Sequence, residues 1–275
     1  MTLEFTKMHG LGNDFVLLDG VSAAVRVDTA LLRFLGDRHR GVGCDQILLV
    51  EPAGEAGDFT YRIFNGDGGE VEQCGNGARC VARFVRDRGL SGADRITFST
   101  LGAVIHTRLL ADGRVAVDMG VPRFEPADIP FEAPARAETY TIDAGGETHE
   151  IGAVSMGNPH AVLRVDDLVT APVRELGPVI EHYEGFPRRA NVGFMRVIDR
   201  KRIALRVWER GAGETAACGT GACGAVAVGR LRGWLDERVT VALPGGELVI
   251  DWAGADNQLW MTGAAETAFH GEIAR

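Results

Sequence analysis

An internal repeat constrains this sequence more than any other feature. The pattern Gly-Glu-x-x-x-Cys-Gly-x-Gly-Ala at residues 69–78 recurs at residues 213–222, which is 144 positions later. Further matches keep the same order at an offset of 144 or 145: Gly12-Asn13 with Gly157-Asn158, Gln46-Ile47 with Asn191-Val192, and Asn65 with Glu209. The period is far longer than that of a solenoid repeat. An ordered series at nearly constant spacing therefore predicts two homologous halves.

Strand-like segments outnumber helix-like segments in both halves. The predicted strands are residues 46–50, 59–64, 96–106, 114–119, 151–155, 161–165, 192–198, 203–208, 238–243 and 246–252. The predicted helices are residues 29–39, 75–88, 171–183 and 219–231. Strands rarely alternate with helices in this order, which disfavours a doubly wound parallel sheet.

The helix that follows each repeated cysteine is apolar on nearly all sides. A helix with so little polar surface is normally buried. We therefore predict a β-rich, mixed α/β fold of two pseudo-symmetric lobes, each a curved, barrel-like sheet around a central helix. The expected N-terminal lobe is residues 1–120, joined by a returning segment at 263–275, and the expected C-terminal lobe is residues 121–262. The proline-rich stretch 121–134 marks the boundary between them.

Cys74 and Cys218 each precede a Gly-x-Gly that opens a predicted buried helix. Unpaired N–H groups and the positive end of the helix dipole lie at such a position. Both favour thiolate over thiol, so we expect the pKa of each thiol to lie below its usual value of about 8.5. The glycines allow a carboxylate to approach the backbone. Two such thiols can invert a stereocentre, since one removes the α-proton and the other returns a proton to the opposite face.

The other cysteines, Cys44, Cys80 and Cys223, are interpreted as small buried hydrophobes. Zinc is disfavoured because Cys74 and Cys80, and likewise Cys218 and Cys223, do not share a helix face, and no C-x-x-C occurs. The two lysines, Lys7 and Lys201, do not resemble a lysine that binds pyridoxal phosphate. We predict that the protein uses neither a metal nor a cofactor.

Asparagine is concentrated around the thiols. The chain has six asparagines, and five lie in the repeated blocks: Asn13, Asn65, Asn76, Asn158 and Asn191. Some could be turn residues, yet side-chain amides also suit the ammonium and carboxylate groups of an amino acid. Glu209-Arg210 adds a charge pair, for which an exposed ion pair and a carboxylate clamp are the two interpretations.

Composition excludes several classes. A formal net charge of -9 argues against a nucleic-acid partner. The N-terminus lacks the pattern of a signal peptide, and no apolar run approaches the roughly 18 residues of a membrane helix. Five cysteines in 275 residues do not fit a disulfide scaffold. We expect a soluble, cytoplasmic protein that acts on a small molecule.

Six segments then match one family in order across nearly the whole chain. They are Gly10-Leu11-Gly12-Asn13-Asp14-Phe15, Gly43-Cys44-Asp45-Gln46, Cys74-Gly75-Asn76-Gly77-Ala78-Arg79-Cys80, Gly157-Asn158-Pro159-His160, Glu209-Arg210-Gly211 and Cys218-Gly219-Thr220-Gly221. The chain resembles the diaminopimelate epimerases. The resemblance implies a cofactor-independent epimerase that interconverts LL- and meso-diaminopimelate in lysine and cell-wall precursor synthesis.

The resemblance also assigns roles to residues. It implies that Cys74 and Cys218 are the acid/base pair and that His160 and Glu209 tune the two thiols. The side chains implied to contact substrate are Asn13, Gln46, Asn65, Asn158, Asn191, Glu209 and Arg210. The backbone at Gly75-Asn76 and Gly219-Thr220 is implied to bind the reacting carboxylate. From its residues alone, His160 is equally interpretable as a partly buried histidine after a proline turn.

Three departures and two rival functions remain. Gln73 and Cys44 differ from common family residues without touching the proposed chemistry. Phe269 stands where the family often has a tyrosine linked to dimer contacts, so a homodimer is expected with less support. The rivals are a sister reaction on the same fold, such as proline or hydroxyproline epimerisation or a phenazine-type isomerisation, and a non-catalytic protein whose thiols bind metal or sense redox state.

Overall fold

The computed structural model describes residues 2–54, 56–71 and 75–274. The chain divides into two compact units, Met1–Asp118 with Thr262–Arg275, and Met119–Met261. The helices of the described residues are α1 (Thr29–Gly36), α2 (Gly75–Asp87), α3 (Val173–Glu181) and α4 (Gly219–Leu231). Each lies inside a predicted helical segment, so these predictions are confirmed with shorter ends for α1, α2 and α3.

Strands make up most of the remaining regular structure. In chain order they are β1 (Thr2–Gly10), β2 (Asn13–Asp19), β3 (Gln46–Pro52), β4 (Phe59–Asn65), β5 (Glu70–Val71), β6 (Arg95–Ser99), β7 (Val104–Leu109), β8 (Val115–Asp118), β9 (Tyr140–Ala144), β10 (Glu147–Ser155), β11 (Pro159–Arg164), β12 (Asn191–Asp199), β13 (Arg202–Glu209), β14 (Gly213–Thr215), β15 (Arg238–Leu243), β16 (Gly246–Asp251), β17 (Trp260–Gly263) and β18 (Glu266–Ala274).

The first unit contains a mixed sheet that surrounds α2. Strand β1 lies antiparallel between β18 and β2. Strands β2 and β3 are parallel, β3 and β4 antiparallel, and β4 is antiparallel to β5 and parallel to β6. The sheet continues antiparallel through β7 to β8. Helix α2 packs against β1, β2, β3, β7 and β8, so the sheet curves around it.

The second unit repeats this order around α4. Strands β9, β10 and β11 form antiparallel pairs, and β11 is parallel to β12. Strands β12 and β13 are antiparallel, and β13 is antiparallel to β14 and parallel to β15. A hairpin of β15 and β16 follows. Helix α4 packs against β10, β11, β12, β13 and β16.

The pairings from β2 to β7 match those from β11 to β16 step for step. In each unit a short strand, β5 or β14, leads into the buried helix. The β-rich, mixed α/β fold class with two repeated lobes is therefore confirmed. The order is the same because the repeated sequence blocks occupy equivalent strand ends and helix starts.

One predicted strand is wrong. Residues 96–106 were expected to form a single strand, but they belong to two strands, β6 and β7. The backbone turns between them, where Thr100 N–H donates to the Ala103 carbonyl at 2.9 Å. The turn contains Gly102, and a glycine often interrupts a strand. The prediction followed the β-forming residues on either side and did not take this glycine into account.

The burial of the two repeated helices also agrees with the sequence. In α4 every residue from Gly221 to Gly229 is buried, and α2 is buried over most of its length. The cysteines expected to be buried hydrophobes, Cys44, Cys80 and Cys223, are at most 5% exposed. Among the described helices, none has both the length and the apolar character needed to cross a membrane.

Candidate active site

Cys218 is the N-cap residue of α4. Its backbone is extended, with φ -106° and ψ 108°, and its side chain makes no capping hydrogen bond to the helix. The residue is 3% exposed, and the nearby Gly221 N–H favours its thiolate form. A side chain at Gly221 would bring Cβ to 3.2 Å from Sγ and 3.0 Å from Val207 Cγ2. The glycine thus allows the first helical turn to close over the thiol.

Glu209 contacts the Cys218 thiol from the end of β13. The thiol donates to Glu209 Oε2 at 2.9 Å, and the Thr215 hydroxyl donates to Oε1 of the same carboxylate. Thr215 lies on β14, the strand paired with β13. The carboxylate is therefore held at one oxygen while the other faces sulfur.

The pKa of Cys218 differs from the sequence expectation. Burial raises the pKa of this thiol well above its usual value, and the adjacent Glu209 carboxylate raises it further. The Gly221 N–H and the Thr220 hydroxyl lower the pKa of this thiol, but they do not outweigh burial. The expected lowering by the helix N-terminus is wrong for Cys218, because that argument left out desolvation and a carboxylate 2.9 Å away. In this arrangement Cys218 is a protonated thiol beside a proton acceptor.

His160 and Asn158 form a second arm of the same site. His160, on β11, is 1% exposed, and its Nε2–H donates to Asn158 Oδ1 at 2.9 Å. Asn158 Nδ2 then donates to Thr220 Oγ1 at 3.3 Å, and this oxygen lies 3.7 Å from Cys218 Sγ. Burial, followed by the nearby Arg210 charge, lowers the pKa of His160 to about 3. His160 is therefore neutral at physiological pH and donates through Nε2.

Asn191 and Arg210 lie close together. Their hydrogen bonds are made to each other and to backbone carbonyls of the protein. Asn191 is 3% exposed; its Nδ2 donates to the Pro159 carbonyl at 3.0 Å, and its Oδ1 accepts the Arg210 N–H at 3.0 Å. The Arg210 guanidinium donates to the Arg188 carbonyl at 3.0 Å, although the residue is exposed. Asn191 thus joins the ends of β11 and β13, while Arg210 retains donors that face solvent.

In the first unit, Asn13 and Asn76 meet at the start of α2. Asn76 Nδ2 donates to Asn13 Oδ1 at 3.2 Å, and Asn13 Nδ2 donates to Asp45 Oδ2 at 2.8 Å. Helix α2 begins at Gly75, while the predicted catalytic Cys74 lies outside the described residues. The structure thus brings together two of the predicted amides at the helix that follows Cys74.

Gln46 and Asn65 form a cross-strand pair in the same unit. They face each other in the antiparallel register of β3 and β4, and Gln46 Nε2 donates to Asn65 Oδ1 at 3.0 Å. The hydrogen bond fixes the orientation of both amides. Asn65 therefore keeps its Nδ2 donors, and Gln46 its Oε1 acceptor, for other contacts.

The two units place equivalent residues alike. Gly12 and Gly157 both adopt φ 87° and aim Asn13 and Asn158 at the first turn of α2 and α4. Such a φ favours glycine.

At other equivalent positions the two units differ in side-chain chemistry. Position 209 carries a carboxylate where position 65 carries an amide, and position 160 carries an imidazole where the aligned position 15 carries a phenyl ring. The equivalent residues of the two units are thus alike in backbone conformation and unlike in side-chain chemistry.

Three side chains that support the site were not singled out from the sequence. Asp45 orients Asn13, Thr215 holds Glu209, and Glu181 holds the residues on both sides of Glu209-Arg210. Asp45 stands inside a recognisable motif, so its sequence did carry a signal. Thr215 and Glu181 carried none, because their importance arises from strand pairing and from a distant helix.

No metal centre is evident in the part of the chain that the structure describes. There, no group of three or more His, Cys, Asp or Glu residues lies close enough to hold a metal ion.

The chain is similar to known proteins over nearly its whole length. The family model described as "Diaminopimelate epimerase" matches residues 5–125 and 152–268. A diaminopimelate epimerase of Chromobacterium violaceum is 60% identical over 274 residues, covering 99% of both chains. Those of Alkalilimnicola ehrlichii and Pseudomonas entomophila are each 57% identical and also cover 99% of both chains.

Solved structures resemble the chain at lower identity. A phenazine biosynthesis protein of the PhzF family from Bacillus anthracis aligns over 100% of both chains, with a TM-score of 0.74 and 16% identity. A probable proline racemase from Agrobacterium radiobacter covers 99% of this chain and 93% of its own, with a TM-score of 0.70 and 16% identity. At these identities the likeness shows the fold alone.

Proposed function

This chain belongs to the diaminopimelate epimerase family, and we propose that it interconverts LL- and meso-diaminopimelate by a two-thiol acid/base mechanism. The observation that carries the mechanism is the Cys218 thiol at the start of a buried helix, 2.9 Å from the Glu209 carboxylate. The sister reactions of proline and phenazine enzymes are not favoured, since those proteins share only the fold.

In the proposed mechanism Cys218 and Cys74 act on opposite faces of the α-carbon. When Cys218 is the acid, its S–H delivers a proton to the carbanion, and the helix N-terminus stabilises the thiolate that forms. When Cys218 is the base, it first passes its proton to Glu209 and then removes the α-proton. The raised pKa of the Cys218 thiol supports a pair that holds a single proton between sulfur and carboxylate. Cys74 supplies the partner thiol.

The carbanion needs donors, because the proposal includes no cofactor. We propose that backbone N–H groups at Gly75-Asn76 and Gly219-Thr220 bind the reacting carboxylate. A well-placed donor to a developing anion contributes roughly 2.7–4 kcal/mol. The remaining proposed contacts to substrate come from Asn13, Gln46, Asn65, Asn158, Asn191, Glu209 and Arg210. Neutral His160 orients Asn158, and we propose that it also tunes a thiol.

The cellular context is part of the proposal. We propose a cytoplasmic enzyme of lysine and cell-wall precursor synthesis that forms a homodimer. Phe269 on β18 is 48% exposed, so its ring is available to a second copy. Light scattering on the purified protein tests the dimer directly.

The function is tested by proton exchange and by cysteine substitution. Wild type should exchange the α-hydrogen of LL-diaminopimelate with heavy water, and should leave proline and hydroxyproline unchanged. Cys74→Ala and Cys218→Ala should each lose nearly all epimerisation, because inversion needs a donor and an acceptor on opposite faces.

Cys44→Ala is the matched control, since Cys44 is a buried cysteine outside the proposed chemistry. It should retain most of the turnover. Substantial epimerisation by either Cys74→Ala or Cys218→Ala would refute the two-thiol mechanism, while exchange of proline alone would refute the substrate assignment.

A further inference from the structure

A single buried carboxylate holds the chain on both sides of Glu209-Arg210. We propose that Glu181 is the positioning residue that fixes these two side chains for epimerisation. The inference rests on the proposed function of Glu209 and Arg210 and adds a residue to which neither the family resemblance nor the sequence pattern assigns a role. Glu181 is the last residue of α3 and is 4% exposed.

Each oxygen of Glu181 accepts a hydrogen bond from a different residue of the 208–211 segment. Trp208 Nε1–H donates to Oε2 at 2.8 Å, and the Gly211 N–H donates to Oε1 at 2.9 Å. The residues between these anchors are Glu209 and Arg210. The Glu181 side chain therefore holds the residue before Glu209 and the residue after Arg210.

Helix α3 packs directly against this segment. A Cβ at Gly177 would lie 2.7 Å from Trp208 Cγ, so only glycine lets the indole lie against the helix backbone. This contact presents the indole N–H to Glu181 one helical turn later. Gly211 adopts φ 76°, which turns the chain sharply after Arg210.

Other contacts hold the interior of the segment but cannot replace Glu181. Asn191 Oδ1 accepts the Arg210 N–H, and Thr215 donates to Glu209. The Arg189 guanidinium lies 3.8 Å from Glu181 Oε1 and supplies the nearest charge to the carboxylate. The Trp208 indole and the Gly211 amide are satisfied by Glu181 itself.

The two donors that face position 181 require a side chain with two hydrogen-bond acceptors. A carboxylate accepts at both oxygens, whereas the amide of glutamine has one acceptor and one donor. In Glu181→Gln, the amide NH2 must face either the indole N–H or the Gly211 N–H. Two donors then oppose each other in a buried site, and one anchor is lost.

Loss of an anchor should act on both functional residues. Displacement of Glu209 removes a carboxylate from the Cys218 sulfur, which lowers kcat. Displacement of Arg210 weakens the substrate contact, which raises KM. A residue that only stabilised the fold would reduce the amount of active protein and leave KM and the pH profile unchanged.

The test is Glu181→Gln, with Glu175→Gln as the control on the same helix, where Glu175 is exposed. We expect kcat/KM to fall roughly tenfold or more in Glu181→Gln, as the loss of one buried hydrogen bond implies. The limb of the kcat–pH profile that reports Cys218 should also move to lower pH, since a nearby carboxylate disfavours the thiolate. Glu175→Gln should match wild type in kcat, KM and pH profile.

A rescue variant separates positioning from folding. Trp208→Phe removes the indole donor, so in Glu181→Gln/Trp208→Phe the glutamine oxygen can turn to Gly211 without an opposing donor. The double variant should be more active than Glu181→Gln and close to Trp208→Phe. Additive losses, or a Glu181→Gln enzyme with wild-type kcat, KM and pH profile, would overturn the proposal.

A substrate-free measurement keeps this inference distinct from the proposed function. The pH dependence of Cys218 alkylation by iodoacetamide, followed by peptide mapping, should shift to lower pH in Glu181→Gln but not in Glu175→Gln. An inactive wild type would refute the epimerase proposal, whereas an unshifted alkylation profile would refute the role of Glu181. If Glu181→Gln does not fold, Trp208→Phe gives the same test: a shifted profile supports the role and an unchanged one refutes it.

Discussion

At Cys218, two physical effects act on the same proton in opposite directions. The helix N-terminus favours the thiolate, while burial and the Glu209 carboxylate favour the thiol, and the second set prevails. A thiol that never ionised could not act as a base. In the proposed mechanism Glu209 accepts the proton that sulfur gives up, so Cys218 can then act as a base.

His160 makes a pH-dependent contribution to stability. Its pKa lies at about 3 in the folded protein and at an ordinary 6.5 when unfolded. The unfolded state therefore binds more protons between these values, so stability is full above pH 6.5 and falls as the pH drops toward 3. For a fully buried group the loss is on the order of 5 kcal/mol.

His160→Gln should remove this pH-dependent contribution to the free energy of unfolding. Urea unfolding at pH 7 and at pH 4 should show a smaller loss of unfolding free energy in the variant than in wild type. His39→Gln, which changes an exposed histidine, should behave as wild type. Equal acid sensitivity of His160→Gln and wild type would show that His160 is not held neutral.

Asp45 determines which way the Asn13 amide points. It accepts from Asn13 Nδ2 and from the Asp14 N–H, and Arg38 donates to its other oxygen at 2.6 Å. Because a carboxylate only accepts, the Asn13 carbonyl must turn toward Asn76. The donors that Asn13 and Asn76 offer to a ligand follow from this orientation.

Asp45→Asn should release that orientation. The new amide can place NH2 against Asn13 Nδ2, so we expect KM to rise roughly tenfold with a smaller change in kcat, as loss of one charge-assisted hydrogen bond implies. Asp256→Asn, at an exposed position, is the matched control. An unchanged KM for Asp45→Asn would show that Asn13 does not depend on Asp45.

At the scale of elements, the two short strands that lead into the repeated helices are held by equivalent ion pairs. Arg62 donates to both oxygens of Glu70 at 2.8 Å, and Arg206 donates to Glu214 at 2.7 Å. Each pair joins the short strand to its long neighbour, β4 or β13. The repeat therefore preserves an ion pair between each short strand and its long neighbour.

The first turn of α4 depends on glycine for close packing. Gly221→Ala places a methyl group 3.2 Å from Cys218 Sγ, so the thiol or Val207 must move. We expect kcat to fall roughly tenfold, whereas alanine in a helix would otherwise stabilise it by about 0.5–1 kcal/mol. Gly92→Ala is the control, since a Cβ there meets nothing within 4 Å. Wild-type kcat in Gly221→Ala would contradict the close packing of this turn against the thiol.

The sequence was most informative about elements with strong local signals. The buried helices α2 and α4 were predictable because nearly every position is apolar and each begins at a Gly-x-Gly. Strands β1, β2 and β18 were not predicted, because polar residues such as Lys7 and His270 interrupt their apolar pattern. Lys7 becomes buried only through tertiary contacts with Asp14 and Gly43.

The residues of the candidate site were proposed from the sequence and remain predictions, whereas the direction of the pKa shift at Cys218 could not be predicted from it. The repeat pointed to Cys74, Cys218 and the asparagines, since their spacing is visible in the chain. The contact of Glu209 with Cys218 depends on the end of β13 lying beside the start of α4, and the contacts of Glu181 depend on α3 packing against β13. No local pattern records these contacts or the burial of Cys218, so the predicted direction of its pKa shift was wrong.

At the scale of the whole molecule, two homologous units supply unlike residues at equivalent places. The carboxylate of Glu209 and the imidazole of His160 have an amide and a phenyl ring as counterparts, at Asn65 and Phe15. An enzyme that interconverts two stereoisomers through two bases does not need those bases to be identical. The two units thus share a fold while their equivalent positions carry different chemistry.

Epimerisation of LL-diaminopimelate in heavy water tests the two-base account most directly. Wild-type enzyme is stopped at low conversion, and the α-deuterium content of product and recovered substrate is measured by mass spectrometry. Because a separate thiol delivers a solvent-derived proton to each face, product should carry deuterium while the recovered substrate remains almost fully protiated. Equal early labelling of substrate and product would instead mean that one base serves both faces, which would contradict the account.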